Sequence, residues 1–178
     1  MADNQRIEDL RRRVQRDPVS IAFAQLGEEC RRAGQYQDAV DICRAGLAIH
    51  PSYLSARVTL GRALIELNEL DAAQSELQHV RQNAPDNLAA IRGLAEIHHR
   101  RGSLTEALTE FRAALLLARN DPDLQEMVDE LSRQLAPSQT SEATSASDNP
   151  MRASALRTIA ALEHWLAGIH VARAQRGA

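Results

Sequence analysis

Three observations predict an all-α protein built from a repeated helical hairpin. Small and large residues return in register every 34 residues: Leu26, Leu60 and Leu94; Gly27, Gly61 and Ala95; Gly34, Asn68 and Gly102; Ala39, Ala73 and Ala107. No stretch alternates apolar and polar residues as a half-buried strand would. Hydrophobic residues make up 44% of the 178 but aromatics only 3%, with alanine and leucine dominant, which suits close-packed helices better than wide gaps filled by rings.

Residues 5 to 16 open the chain as a helix with Ile7, Leu10 and Val14 on one face. Asp17-Pro18 stops it, because proline restricts the residue before it and cannot continue a helix. Segment 1–19 therefore reads as an N-terminal cap over the first apolar face of an array. Arg11-Arg12-Arg13 lies mainly on its polar side, as a solvated surface or as a site for an acidic partner.

Three hairpins follow, at 20–53, 54–87 and 88–122. In each, helix A ends at Gly34, Asn68 or Gly102, residues that tolerate the left-handed backbone closing a helix. Ala39, Ala73 and Ala107 are small where helices A and B approach, and Gly27 and Gly61 serve the same approach at a cost of ~1 kcal/mol per helical glycine. Leu26, Leu60, Leu94 and Phe111 fill the space between hairpins. Pro51 returns as Pro85, but the third copy has its proline three residues late, at Pro122, which predicts a last helix B nearly a turn longer. Leu124, Met127, Val128, Leu131 and Leu135 then mark a C-terminal capping helix over 123–136.

The composition changes after that. Residues 137–150 carry no large apolar side chain and are mostly Ser, Thr and Ala, the mark of a flexible linker whose ends lie roughly 20 Å apart. Residues 151–178 form a strongly amphipathic helix with Ile159, Leu162, Trp165, Leu166 and Ile169 on one face. This segment holds four arginines against the single acid Glu163, so the rest of the chain is the more acidic part.

The 34-residue spacing, with Leu26, Gly27, Gly34, Tyr36, Ala39, Cys43 and Pro51 answered in later copies, resembles the tetratricopeptide repeat family over roughly residues 20–122. The chain departs at the fourth position of each repeat, where Phe23, Arg57 and Ile91 replace tryptophan. It departs again at the eleventh, where Cys30, Leu64 and His98 replace tyrosine. The resemblance implies a right-handed superhelical solenoid of antiparallel helix pairs, with A helices lining a concave, peptide-binding groove. By that resemblance the lining is Ile21, Ala24, Gln25, Glu28 and Arg31 from the first repeat, Ser55, Val58, Thr59, Arg62 and Ile65 from the second, and Ala89, Arg92, Glu96, His99 and Arg100 from the third. Chaperone-binding members clamp a terminal carboxylate with basic residues and asparagines. Here those positions in the first two repeats hold Ala24, Glu28 and Thr59, and the clamp is missing. Ile21, Ala24, Val58 and Ile65 make a narrow apolar strip flanked by both charges, a surface suited to an amphipathic helix or an extended segment with apolar anchors. Arg62 and Arg92 either hold an acidic ligand side chain or pair with Glu28 and Glu96 on neighbouring helices.

Other function classes find little support. A net charge of −3 and a pI near 6.1 do not describe a nucleic-acid binder. The polar start and the lack of an apolar run of about 18 residues predict neither a secretory signal nor a membrane span, hence a cytoplasmic protein. All basic residues are arginine, as a GC-rich genome would give. Cys30 and Cys43 sit at packing positions and read as buried free thiols, with a disulfide or redox pair as the other reading. Adjacent His98 and His99 point to different faces and cannot form the i, i+4 pair of a zinc site. No phosphate loop, nucleophile elbow or convergent acid pair is present, so neither an enzyme nor a cofactor is expected. The expected function is that of a protein-binding adaptor or scaffold. Its tethered C-terminal helix docks in cis, on a second copy in a swapped homodimer, on the partner, or on a membrane with Trp165 at the interface; protein contact is favoured over membrane. The other reading, from size and repeat number alone, is a bacterial secretion-type chaperone that holds a client segment.

Overall fold

The computed structural model describes residues 2–136. The predicted linker at 137–150 and amphipathic helix at 151–178, with Ile159, Leu162, Trp165, Leu166 and Ile169, lie outside the described residues. Among the described residues there are eight helices and no strand: α1 (Ala2–Arg16), α2 (Ala22–Arg32), α3 (Tyr36–Ile49), α4 (Leu54–Glu66), α5 (Leu70–Asn83), α6 (Leu88–Arg100), α7 (Leu104–Leu117) and α8 (Pro122–Leu135). None of them is long and apolar enough to cross a membrane.

Each helix packs on the next in the chain, and α2 with α4 and α4 with α6 also meet, so the A helices stand side by side. Within a hairpin the turn uses left-handed backbone at one residue: Gly34 at φ 77°, Asn68 at φ 62° and Gly102 at φ 75°. The residue after each reaches back to the helix it closes. Gln35, Glu69 and Ser103 donate their N–H groups to the carbonyls of Cys30, Leu64 and His98, all at 2.9 Å, which satisfies carbonyls the helix end would otherwise leave free.

Small residues set the A–B approach. Ala39, Ala73 and Ala107 are wholly buried. A Cβ on Gly27 would lie 2.6 Å from the Cys43 sulfur, and one on Gly61 would lie 2.6 Å from Leu77. The tightest contact falls on a glycine the 34-residue pattern does not repeat. A Cβ on Gly46 would lie 2.0 Å from the Phe23 ring. That ring is buried, stacked on His50 at 6.0 Å and tilted against Tyr53 at 5.9 Å.

The same site is filled differently in the second repeat. Arg57 stands where Phe23 does. Its guanidinium bonds Glu76 of α5 at 2.6 Å and the Pro51 carbonyl at 2.7 and 3.0 Å, so an ion pair and a turn carbonyl replace aromatic packing. Cys30 and Cys43 are buried free thiols. Burial pushes both thiols up, Cys43 to about 12, so neither is a ready thiolate.

The expected longer helix in the third repeat is not found. α3, α5 and α7 each span 14 residues. Pro122 is the first residue of α8 and does not stop α7. The proline lacks an N–H at a position in the first helical turn that needs none. Asp121 is the N-cap: its Oδ1 accepts from the N–H groups of Asp123 at 3.1 Å and Leu124 at 3.2 Å. Pro122 follows Leu88 by the same step that separates Leu88 from Leu54, so α8 stands in the register of a fourth helix A. Val128 accordingly continues Leu26, Leu60 and Leu94 in the buried set.

Overpacking at Gly46 outweighs the helix propensity gained by alanine, since a buried ring has little room to move. Gly46→Ala is expected to destabilise the protein by about 1–3 kcal/mol and lower its Tm. An unchanged or higher Tm in thermal unfolding would show that Phe23 repacks freely.

Candidate peptide-binding groove

Two adjoining concavities run along the A helices and meet at Arg62 and Ala89, which line both. The first, of about 720 Å³, is bounded by α1, α2 and α4. Ile21, Ala24, Gln25, Glu28, Ser55, Val58 and Thr59 of the predicted groove line it, joined by Arg6 and Arg13. The second, of about 590 Å³, lies between α4, α6 and α8 over Phe111 of α7. Ile65, Arg92, Glu96 and Arg100 of the predicted groove line this one, with Leu88, Leu124 and Met127 adding apolar surface. Among the described residues α6 and α8 do not approach as closely as α4 does to either of its neighbouring A helices, and this opening makes room for the second cavity.

The predicted groove residues differ in how they contribute. Ala24, Thr59 and Ile65 are buried and form floor. Ile21, Gln25, Ser55 and Arg62 are exposed. Arg31 and His99 line neither concavity. Arg31 is taken up by Glu28, to which it donates through Nε at 3.0 Å and Nη2 at 2.9 Å. His98 lies against a different, shallow cleft with Arg81 and Glu110.

Glu28 is the hub of the first repeat's concave face. Besides Arg31, its carboxylate accepts from Arg32 at 3.0 Å and from the Thr59 hydroxyl at 3.2 Å, which ties the first repeat to the second. Burial pushes this carboxyl up, but the hydrogen bonds and charge of Arg31, with those of Arg32 and Thr59, outweigh it and hold the group at about 2.

Of the two readings of Arg62 and Arg92, pairing with Glu28 and Glu96 is not found among the described residues. Glu96 bonds Arg100 at 2.6 Å. Arg100 also donates to the Ile65 carbonyl at 2.7 Å, which caps the end of α4 from α6. Arg92 bonds the N-cap Asp121 at 2.8 Å and so fixes α6 to the start of α8. Arg62 has no hydrogen bond or ion pair among the described residues. Its pKa is pulled down, chiefly by burial and then by the guanidiniums of Arg31 and Arg92, against the opposing pull of Glu28 and Glu66.

Some lining residues that sequence reasoning missed lie within the array, Glu66, Leu88 and Phe111 among them, and others come from outside it. Arg6 and Arg13 belong to α1, and Asp123, Leu124 and Met127 to α8. The usable signal was the step from Leu88 to Pro122, which places α8 beside α6 as a fourth A helix.

A family model described as a tetratricopeptide repeat matches residues 31–90 and 70–131. No curated protein matches the chain in sequence. Among solved structures, MamA from Desulfovibrio magneticus RS-1, from its residue 41 to the end, superposes with a TM-score of 0.67 at 16% identity, covering 91% of this chain and 86% of that one. TTC0263, a thermophilic repeat protein of Thermus thermophilus, gives 0.63 at 23% identity over 73% of each chain. The first repeat domain of Spaghetti (RPAP3), solved with the HSP90 peptide SRMEEVD, gives 0.63 at 18% identity over 67% of this chain and 95% of that one. At these identities the likeness is one of fold.

Because Glu28 is held far below its unfolded value near 4.5, it stabilises the fold above that value, and this contribution disappears as pH falls from about 4.5 through about 2. Glu28→Gln is expected to lower stability at pH 7 by about 1–3 kcal/mol and to flatten the acid limb of the stability profile in that window. Denaturant titrations across pH would contradict this if both proteins lost stability in parallel.

Proposed function

The chain belongs to the tetratricopeptide repeat family, and we propose that it is a non-enzymatic adaptor holding a helical or extended segment of another protein along the concave face of α2, α4 and α6. The paired concavity that meets at Arg62 and Ala89 carries this reading. Apolar floor beneath charged walls suits a peptide that buries one or two apolar anchors and orients itself by its polar groups. The Spaghetti (RPAP3) domain, of like fold, holds a peptide. A terminal carboxylate of that kind finds no clamp in the first repeat here, where an ionised Glu28 would repel it.

The stretch 151–178 serves in this account as a second docking element through Ile159, Leu162, Trp165, Leu166 and Ile169, on its own chain, on a second copy or on the partner. Its stripe of apolar residues supports the role.

Photo-crosslinking in the native cell separates groove from outer face. A photoreactive residue at Gln25 or Ala89, both lining the concavities, is expected to capture the same partner. One at Ser75, exposed on α5, is expected to capture none. Capture from Ser75 but not from Gln25 or Ala89 would place the binding face elsewhere.

A further inference from the structure

Most charged groups lining the two concavities are already neutralised within the protein. Glu28 holds Arg31 and Arg32, Glu29 holds Arg6, Glu96 and Glu66 hold Arg100, and Asp121 holds Arg92. Three lining groups have no ion pair among the described residues: Arg13, Arg62 and Asp123. Asp123 sits in the first turn of α8, where the helix end favours a negative charge. Arg13 is at the outer edge, exposed and bordering only the first concavity among these two. Arg62 is different, because it stands where both concavities meet.

Arg62 stands among charges of both signs: Arg31 and Arg92 disfavour its charged form while Glu28 and Glu66 favour it. Glu28, however, is committed to Arg31 and Arg32, Glu66 to Arg100, and Asp121 to Arg92. An exposed guanidinium that borders both concavities and lacks a carboxylate partner among the described residues is a fork open to an anion. Beside it the second concavity is lined by half-buried Leu88 and Met127 over buried Ile65, Phe111 and Leu124.

We propose that the segment held in the groove is acidic: one Asp or Glu of the ligand supplies the ion pair that Arg62 lacks, and an apolar side chain a few residues away enters the cavity between α6 and α8. This rests on the groove being the peptide-binding face. The anion subsite lies at Arg62, about one turn of α4 from Thr59, and the clamp positions Ala24, Glu28 and Thr59 hold no cation, so the recognised carboxylate is assigned to a side chain inside the segment. The chain as a whole carries a net charge of −3, so the preference arises from local arrangement and not from overall attraction.

The test is to pan a library of random dodecapeptides on the immobilised full-length protein and on its Arg62→Ala variant. The expected result is enrichment of Asp or Glu near Leu, Ile, Phe or Met on the wild type and loss of the acidic bias on the variant. A synthetic copy of an enriched peptide, followed by fluorescence anisotropy, should lose about tenfold in affinity when Arg62 is alanine. It should lose a similar factor when its own acid becomes the amide, with no further loss when both changes are combined. The amide change is read on unaltered protein and stands even if Arg62→Ala disturbs folding. Enriched peptides with no acidic bias would overturn the inference while leaving the groove reading intact. No enrichment on the wild type would overturn both.

Discussion

Where each helix A crosses its helix B, the chain has room for little more than a methyl group, and the rest of the structure follows from that spacing. Ala39, Ala73 and Ala107 are wholly buried at the crossing, and Gly27 and Gly61 leave no space for a Cβ against Cys43 and Leu77. Interiors are close-packed, so these small residues set how closely the two helices of each hairpin approach. Three hairpins built to one spacing then stack with A helices on one side. The concave face is a by-product of that repetition, and only the residues projecting from it are free to carry specificity.

Those residues fall into two groups. Glu28, Arg100 and Arg92 are spent on architecture: each ties one repeat to the next or to α8. Partly buried charges need such partners, since an unpaired ion out of water is costly. Arg62 is exposed, has no such partner among the described residues and borders both concavities, which is why the proposed anion subsite is centred on it. The geometry around it is completed by α8, whose distance from α6 leaves the apolar cavity open.

The fold was legible because repetition multiplies weak signals: one Leu-Gly pair says little, but Leu26-Gly27 answered by Leu60-Gly61 fixes a register. Turn chemistry was legible for the same reason, and Asn68 takes the left-handed backbone that Gly34 and Gly102 suggest. Pro122 was misread because a proline after a helix and a proline opening the next look alike in sequence. Asp121, just before that proline, is both an N-cap and the partner of Arg92. The choice between ligand and neighbour for Arg62 and Arg92 was out of reach, because it depends on which carboxylates lie within a few ångströms across helices. The tight seat of Phe23 on Gly46 was invisible too, since neither residue repeats.

Hydrogen–deuterium exchange on the full-length protein, with and without its native partner, tests the central claim most directly. Recognition along the concave face predicts added protection concentrated in α2, α4 and α6 and at the start of α8, with α3, α5 and α7 little changed. Protection confined to α3, α5 and α7 would contradict it, and would move recognition to the face that the repeats share with solvent.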